Sequence, residues 1–282
     1  MIAADGQRFE CAANLSMLYT ESPLLDRFAA AAAAGFGSAE AWWPYPDSAE
    51  PAAADLDRFI AAVDDSGIPL SGLNFFAGDM PAGERGIVSD PRRVDEFARN
   101  LSVMAEIAKR TGIRGANALY GHRIEGIAPD AQDAVAIDNL CLATRTLADA
   151  GVTVLVEALA EGLNGPYPLG RAAQVVRVVG EVRERTGLDN VGMILDTFHL
   201  ASNGEDLLAV IDAYSDVIAH VQLADAPGRG EPGTGDVDFA AVLDRLWERG
   251  YRGIVACEYK PSGATTASLE TLTGLGLLTP TD

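Results

Sequence analysis

Short apolar runs rich in β-branched residues recur along the chain, separated by longer segments whose apolar positions fall three and four apart. Val152-Thr153-Val154-Leu155-Val156 has the composition of a strand buried on both faces. Strands are likewise predicted over Phe9–Asn14, Gly37–Trp43, Ile68–Phe76, Ile113–Leu119, Val191–Leu195, the run from Ile218 and Ile254–Cys257. Helices are predicted between them. The first runs from Pro23 through the Ala29–Ala34 run and stops at Gly35. The second, Ala52–Ser66, carries Leu56, Phe59, Ile60 and Val63 on one face and ends at Gly67. Others span Asp90 to Arg110, Pro129 to Ala150, Gly170 to Thr186, Asp206 to Tyr214, Phe239 to Glu248 and Ala264 to Gly276.

Eight strands alternating with eight helices predict an α/β protein with a parallel sheet covered on both sides. In a chain of 282 residues, that count predicts a closed (β/α)8 TIM barrel, one domain over residues 1–282. An open doubly wound sheet is the runner-up. No Gly-x-Gly-x-x-Gly follows the first strand and no phosphate-binding Gly-Lys-Ser/Thr loop occurs, so no nucleotide fingerprint is present.

Composition narrows the partners. No apolar run approaches the ~18 residues of a membrane span, and Met1–Glu10 lacks a basic segment followed by an apolar one, which predicts a cytoplasmic protein. A net charge of −20 repels nucleic acid and anionic membranes, leaving a small molecule as the expected partner. An anionic substrate would need local positive charge. Cys11, Cys141 and Cys257 form neither a zinc pattern nor a disulfide framework and read as buried thiols. A homo-oligomer stays open.

Chemistry in such a barrel sits at the C-terminal ends of the strands. The last four strands end in Glu157, Asp196, Gln222 and Glu258. Three carboxylates and an amide oxygen suit a hard divalent cation, Mg²⁺ or Mn²⁺. The carboxylates would repel one another unless a cation balanced them. For any one of the four, a solvated acid at a strand end is the ordinary alternative; four in succession favour the metal. Arg229, in the Gly- and Pro-rich loop after the seventh strand, suits a substrate carboxylate, or a salt bridge to Glu231 or Glu84. His199, in the loop Asp196-Thr197-Phe198-His199, reaches substrate or packs locally. His220, inside the seventh strand, is expected to support rather than ligate; His122 is expected in a solvated loop. Trp42, Trp43 and Phe75 form an apolar wall or belong to the core. Asn74 and Lys260, at or beyond strand ends, and Glu40, inside the second strand, complete the substrate-binding candidates.

Several of these stretches carry a family resemblance. They include Ala13-Asn14-Leu15-Ser16-Met17-Leu18, Glu40 with Pro44-Tyr45, and the loop Ala77-Gly78-Asp79-Met80-Pro81-Ala82-Gly83-Glu84-Arg85-Gly86. Later ones are Asp196-Thr197-Phe198-His199, the Gln222 strand with Arg229 and Glu231-Pro232-Gly233-Thr234-Gly235, and Glu258-Tyr259-Lys260-Pro261. Together they resemble the hydroxypyruvate isomerase family of xylose isomerase-like barrels. The resemblance implies metal ligands at Glu157, Asp196, Gln222 and Glu258, with Glu157 and Glu258 as the acid/base pair. One segment departs: Glu157-Ala158-Leu159-Ala160-Glu161 stands where the family reads Glu-Pro-Ile-Asn.

The implied reaction is aldose–ketose isomerisation of a short hydroxy-oxo acid, hydroxypyruvate to tartronate semialdehyde, by proton transfer through an enediolate. Alternatives on the same framework are a 2-oxo-tetronate isomerase, a ketose 3-epimerase, a polyol dehydratase, or a sugar-acid binding protein without turnover. Epimerases that resemble this site commonly carry histidine at the position of Gln222.

Overall fold

A computed structural model describes residues 8–279. Residues 1–7, most of the segment searched for a leader, and both outer ends of the predicted domain lie outside them. Eight parallel strands close into a barrel in sequence order, β1 Glu10–Asn14, β2 Ser38–Ala41, β3 Leu70–Asn74, β4 Gly115–Asn117, β5 Thr153–Glu157, β6 Val191–Asp196, β7 Ile218–Leu223 and β8 Ile254–Cys257. β8 pairs back onto β1 through Cys11 opposite Val255 and Ala13 opposite Cys257, so no edge is left open.

The helices follow the predicted order: α1 Leu24–Ala33, α2 Ala53–Ser66, α3 Val94–Thr111, α4 Pro129–Ala148, α5 Ala172–Thr186, α6 Thr197–Ser202, α7 Leu207–Tyr214, α8 Phe239–Glu248 and α9 Leu269–Gly274. α2 buries Leu56, Phe59, Ile60 and Val63, the stripe that its spacing dictates. Gly67 then closes it at φ 71°, a left-handed conformation that a side chain resists. No described helix is long and apolar enough to cross a membrane.

Three predictions change. The third helix starts at Val94, not at Asp90-Pro91, because the Asp90 carboxylate accepts from the Arg92 backbone N–H and grips its guanidinium in a preceding turn. The segment after Asp196 is a helix, α6, not a loop. The terminal helix is split into a 3-10 turn, Thr265–Ser268, and α9.

Candidate active site

Asp196 ends β6 and caps α6: its Oδ1 accepts from the His199 backbone N–H at 2.9 Å. Thr197 then locks the β6 end to β7, accepting from the Ala224 N–H at 3.0 Å and donating to the Ala224 carbonyl at 2.8 Å. Across the ladder Asp196 pairs with Gln222. Glu157 closes β5 and Glu258 follows β8, so the four predicted strand-end residues come together, all buried.

The two glutamates are held differently. Asn117, at the end of β4, donates to Glu157 Oε2 at 2.9 Å. Trp42 Nε1 and Arg229 Nη2 both donate to Glu258 Oε1, at 2.8 and 2.9 Å. Burial pushes both carboxyls up, Glu258 to about 7 and Glu157 well above the usual carboxylate range. For Glu157, the charges of Glu258 and Asp196 add to that rise; at Glu258, Arg229 opposes it.

Arg229 pairs with neither Glu231, which holds Ser262, nor Glu84, which holds Arg93. Its guanidinium faces Glu258, lies 3.8 Å from Asp196 Oδ2 and stacks over the Phe198 ring at 5.5 Å. Its backbone, at φ 60°, is pinned on both sides: its N–H donates to the Asp225 carbonyl and its carbonyl accepts from the Lys260 N–H. The Asp225 side chain organises the loop beyond, accepting from Ala226, Gly233 and Val237.

Buried His199 sits with Nε2 3.7 Å from Glu157 Oε1 and 3.9 Å from Asp196 Oδ2. Its Nδ1 accepts from the Ala160 N–H at 2.9 Å, so the neutral ring carries its proton on Nε2. Burial holds its pKa down at about 4. The ring is therefore a donor aimed at the carboxylates, although Glu157, Asp196 and His199 bring ligand-type atoms within 4.8 Å of one another.

Behind Gln222, its Nε2 donates to Glu40 Oε1 at 2.8 Å; Asn14 Nδ2 donates to the same oxygen, and His220 Nε2 lies 2.7 Å from Glu40 Oε2. Burial alone would raise the Glu40 carboxyl; the charge of His220 and hydrogen bonds from His220, Gln222 and Asn14 hold it below the usual range.

A cavity of about 550 Å³ opens above. Glu157, Glu258, His199, Arg229 and Asn74 line it, with Trp42, Trp43, Phe76, Met80 and Leu159 as apolar wall. Asp196 and Gln222 do not line it. Gln222 and Glu40 line a separate interior cavity of about 160 Å³, and exposed Lys260 lines neither. Phe75 is core, against Phe97. His122, expected in solvent, is partly buried and bonds the Asn164 carbonyl at 2.7 Å.

Sequence reasoning missed Asn117, the polar role of Trp42, and Arg85, which lines the cavity and donates to Asn164 Oδ1 at 3.1 Å. Asn117 was legible as a polar residue inside the fourth apolar run; nothing in the spacing pointed to the other two.

A divalent cation fits the donor set. Asp196 Oδ2 and Gln222 Oε1 are fully buried oxygens without a hydrogen-bond partner, a costly state that a cation would relieve. Three buried carboxyl groups share one arginine there, and burial with mutual repulsion raises Glu157 and Glu258; a cation would stabilise their ionised forms.

A family model described as xylose isomerase-like TIM barrel matches residues 28–275. A Streptomyces coelicolor protein provisionally named as a hydroxypyruvate isomerase is 48% identical over 262 residues, 93% of this chain and 93% of its own. The 2-oxo-tetronate isomerase of Haemophilus influenzae is 34% identical, covering 92% of this chain and 96% of that one. A crystal structure titled AP endonuclease, family 2, from Brucella melitensis superposes with a TM-score of 0.84 at 32% identity, over 94% of this chain and 98% of that one.

Proposed function

The chain belongs to the hydroxypyruvate isomerase family of xylose isomerase-like TIM barrels, a family of isomerases, and on that premise we propose that it interconverts hydroxypyruvate and tartronate semialdehyde. One observation carries the reading. Two buried glutamates line the large cavity, whereas the two other oxygen donors, Asp196 and Gln222, do not line it and each keep a buried oxygen without a protein partner. Residues that carry protons need access to substrate; residues that only grip an ion do not.

Glu157, Asp196, Gln222 and Glu258 would hold Mg²⁺ or Mn²⁺. Such an ion would polarise the adjacent carbonyl and hydroxyl oxygens of the substrate and balance enediolate charge. The protein supplies the proton traffic. One glutamate takes a proton from C3 of hydroxypyruvate, the other delivers one to C2, and the hydroxyl hydrogen passes from O3 to O2. Each glutamate commits one oxygen to a protein donor and keeps the other for this work. Glu157 and Glu258 stand on β5 and after β8, bracketing β6 and β7, which suits access from two sides. His199 offers Nε2–H to a substrate oxygen. Arg229 retains Nε, buried without a partner, for a further one. The net charge of −20 speaks against a nucleic-acid substrate.

A four-carbon 2-oxo acid is the second reading, favoured by relatives named 2-oxo-tetronate isomerase and by the roomy cavity. Proton NMR in deuterated buffer, with Mg²⁺ or Mn²⁺, tests both substrates side by side. Conversion of hydroxypyruvate supports the first reading; conversion of the four-carbon acid alone supports the second. Conversion of neither rejects both.

A further inference from the structure

Gln222 is the one neutral member of the proposed ligand set, and its side-chain amide has two ends of nearly equal shape. Only the oxygen end can ligate a cation. Something must therefore choose the rotamer. The choice is made from β2, by Glu40, which lines the smaller interior cavity together with Gln222 and not the large one.

We infer that Glu40 is a positioning residue that fixes the Gln222 amide with its oxygen toward the cation site and its NH₂ away from it. The inference rests on the reading of Gln222 as a ligand given above. Both Glu40 oxygens face nitrogens: Oε1 lies 2.8 Å from Gln222 Nε2 and 2.9 Å from Asn14 Nδ2, and Oε2 lies 2.7 Å from His220 Nε2. A flipped amide would press oxygen against oxygen in a buried place. The carboxylate is itself immobilised. Asn14 Nδ2 reaches Glu40 Oε1 at 2.9 Å, and the Asn14 amide is oriented in turn because its Oδ1 accepts from the Ser16 N–H at 3.1 Å. His220 Nε2 holds Glu40 Oε2 at 2.7 Å. Gly72 leaves the room: a Cβ there would meet Glu40 Oε2 at 3.4 Å and its Cβ at 3.3 Å. With NH₂ committed to Glu40, Gln222 Oε1 is left as the fully buried acceptor with no protein partner. Glu40 does not line the large cavity, so it works through Gln222 and not on substrate.

Mn²⁺ binding, titrated by electron paramagnetic resonance without substrate, tests this. Glu40→Gln gives the 222 amide a partner that can donate or accept, so either rotamer is possible. Its Mn²⁺ affinity should fall about 10- to 100-fold, the scale typical of losing a ligand's supporting partner. The exchanged pair, Glu40→Gln with Gln222→Glu, keeps the total charge. The amide at 40 can then donate to a carboxylate at 222 whose second oxygen faces the site, so affinity should return to within a few-fold of wild type. Unchanged affinity in Glu40→Gln, or no recovery in the exchanged pair, overturns the inference. Failure of the wild type to bind Mn²⁺ overturns the ligand reading beneath it. Should Glu40→Gln not fold, the wild type decides. The chain has only four glutamines, Gln7, Gln132, Gln174 and Gln222. In protein labelled with ¹⁵N-glutamine, Gln222 should show a downfield, slowly exchanging side-chain NH₂, with and without Mg²⁺. A solvent-averaged NH₂ contradicts the inference.

Discussion

Arg229 Nη2 lies 2.9 Å from Glu258 Oε1, so the guanidinium expected to meet substrate already holds one of the two proposed proton carriers. Arg229 opposes the rise that burial imposes on Glu258. Removing it should raise the Glu258 pKa above about 7 and shrink the ionised fraction at neutral pH. For Arg229→Ala the basic limb of kcat/KM against pH is expected to stay in place while the acidic limb moves upward. Loss of a substrate contact alone would leave the acidic limb where it was.

Affinity for carboxylate substrates should also suffer. Losing a charge-assisted hydrogen bond costs on the order of 1.5–3 kcal/mol, roughly ten- to a hundredfold in KM for hydroxypyruvate. Neutral ketoses, if they bind, provide the comparison; an equal loss for both would assign Arg229 to structure.

Metal binding should strengthen with pH. Glu258, raised by burial to about 7, and Glu157, raised further, hold protons that a cation must displace. In the metal-free protein, the sign is the opposite. A carboxyl whose folded pKa exceeds its ordinary value of 4.5 contributes stability below that value and loses it as pH rises through 7. His199, lowered from 6.5 to about 4, acts in reverse, and only below 6.5. Between pH 6.5 and 8 the Tm gap between Mn²⁺-loaded and metal-free protein should therefore widen. A gap that is constant or narrows would contradict the raised glutamates.

His199 should remain neutral, protonated on Nε2, across the working range. With Nδ1 accepting from Ala160 and a pKa near 4, its ¹⁵N ring shifts are expected to stay flat from pH 5.5 to 8. Titration near 6.5 would show that the ring is not buried as described.

Much of this was readable from the chain. Short continuous apolar runs located every strand and 3.6-residue spacing located most helices, because each barrel strand is buried on both faces and each helix on one. The proposed oxygen donors stood out because apolar runs closed with Glu157, Asp196 and Gln222, with Glu258 just past Cys257. Partnerships did not. Nothing in the sequence says that Trp42, after β2, meets Glu258, after β8, 216 positions away, because only the closure of the barrel through β1 brings them together, or that Glu40 meets Gln222 across the interior. α6 was hidden because its cap is also a proposed ligand, Asp196, and a six-residue helix shows little periodicity.

The loop that places Arg85 offers a stability test. Gly86 has φ 107°, and a Cβ on it would sit 1.9 Å from the Leu119 carbonyl oxygen. Gly86→Ala should cost on the order of 3 kcal/mol from strain and overpacking together. Gly126→Ala shares the positive φ, at 81°, but meets nothing within 4 Å, and should cost only about 1–2 kcal/mol. Urea denaturation of both variants checks the contrast; equal losses would place the cost in the backbone alone.

The two-glutamate proton transfer is tested most directly by solvent deuterium incorporation into hydroxypyruvate at saturating Mn²⁺, compared for wild type, Glu157→Gln and Glu258→Gln. Each glutamine keeps an oxygen ligand and removes a proton carrier. Wild type should place deuterium at C2 of the product, and each variant should keep much of its metal binding yet turn over about 10²-fold more slowly or worse. Near wild-type exchange and isomerisation in both variants, or wild-type turnover with no deuterium at carbon, would contradict the account.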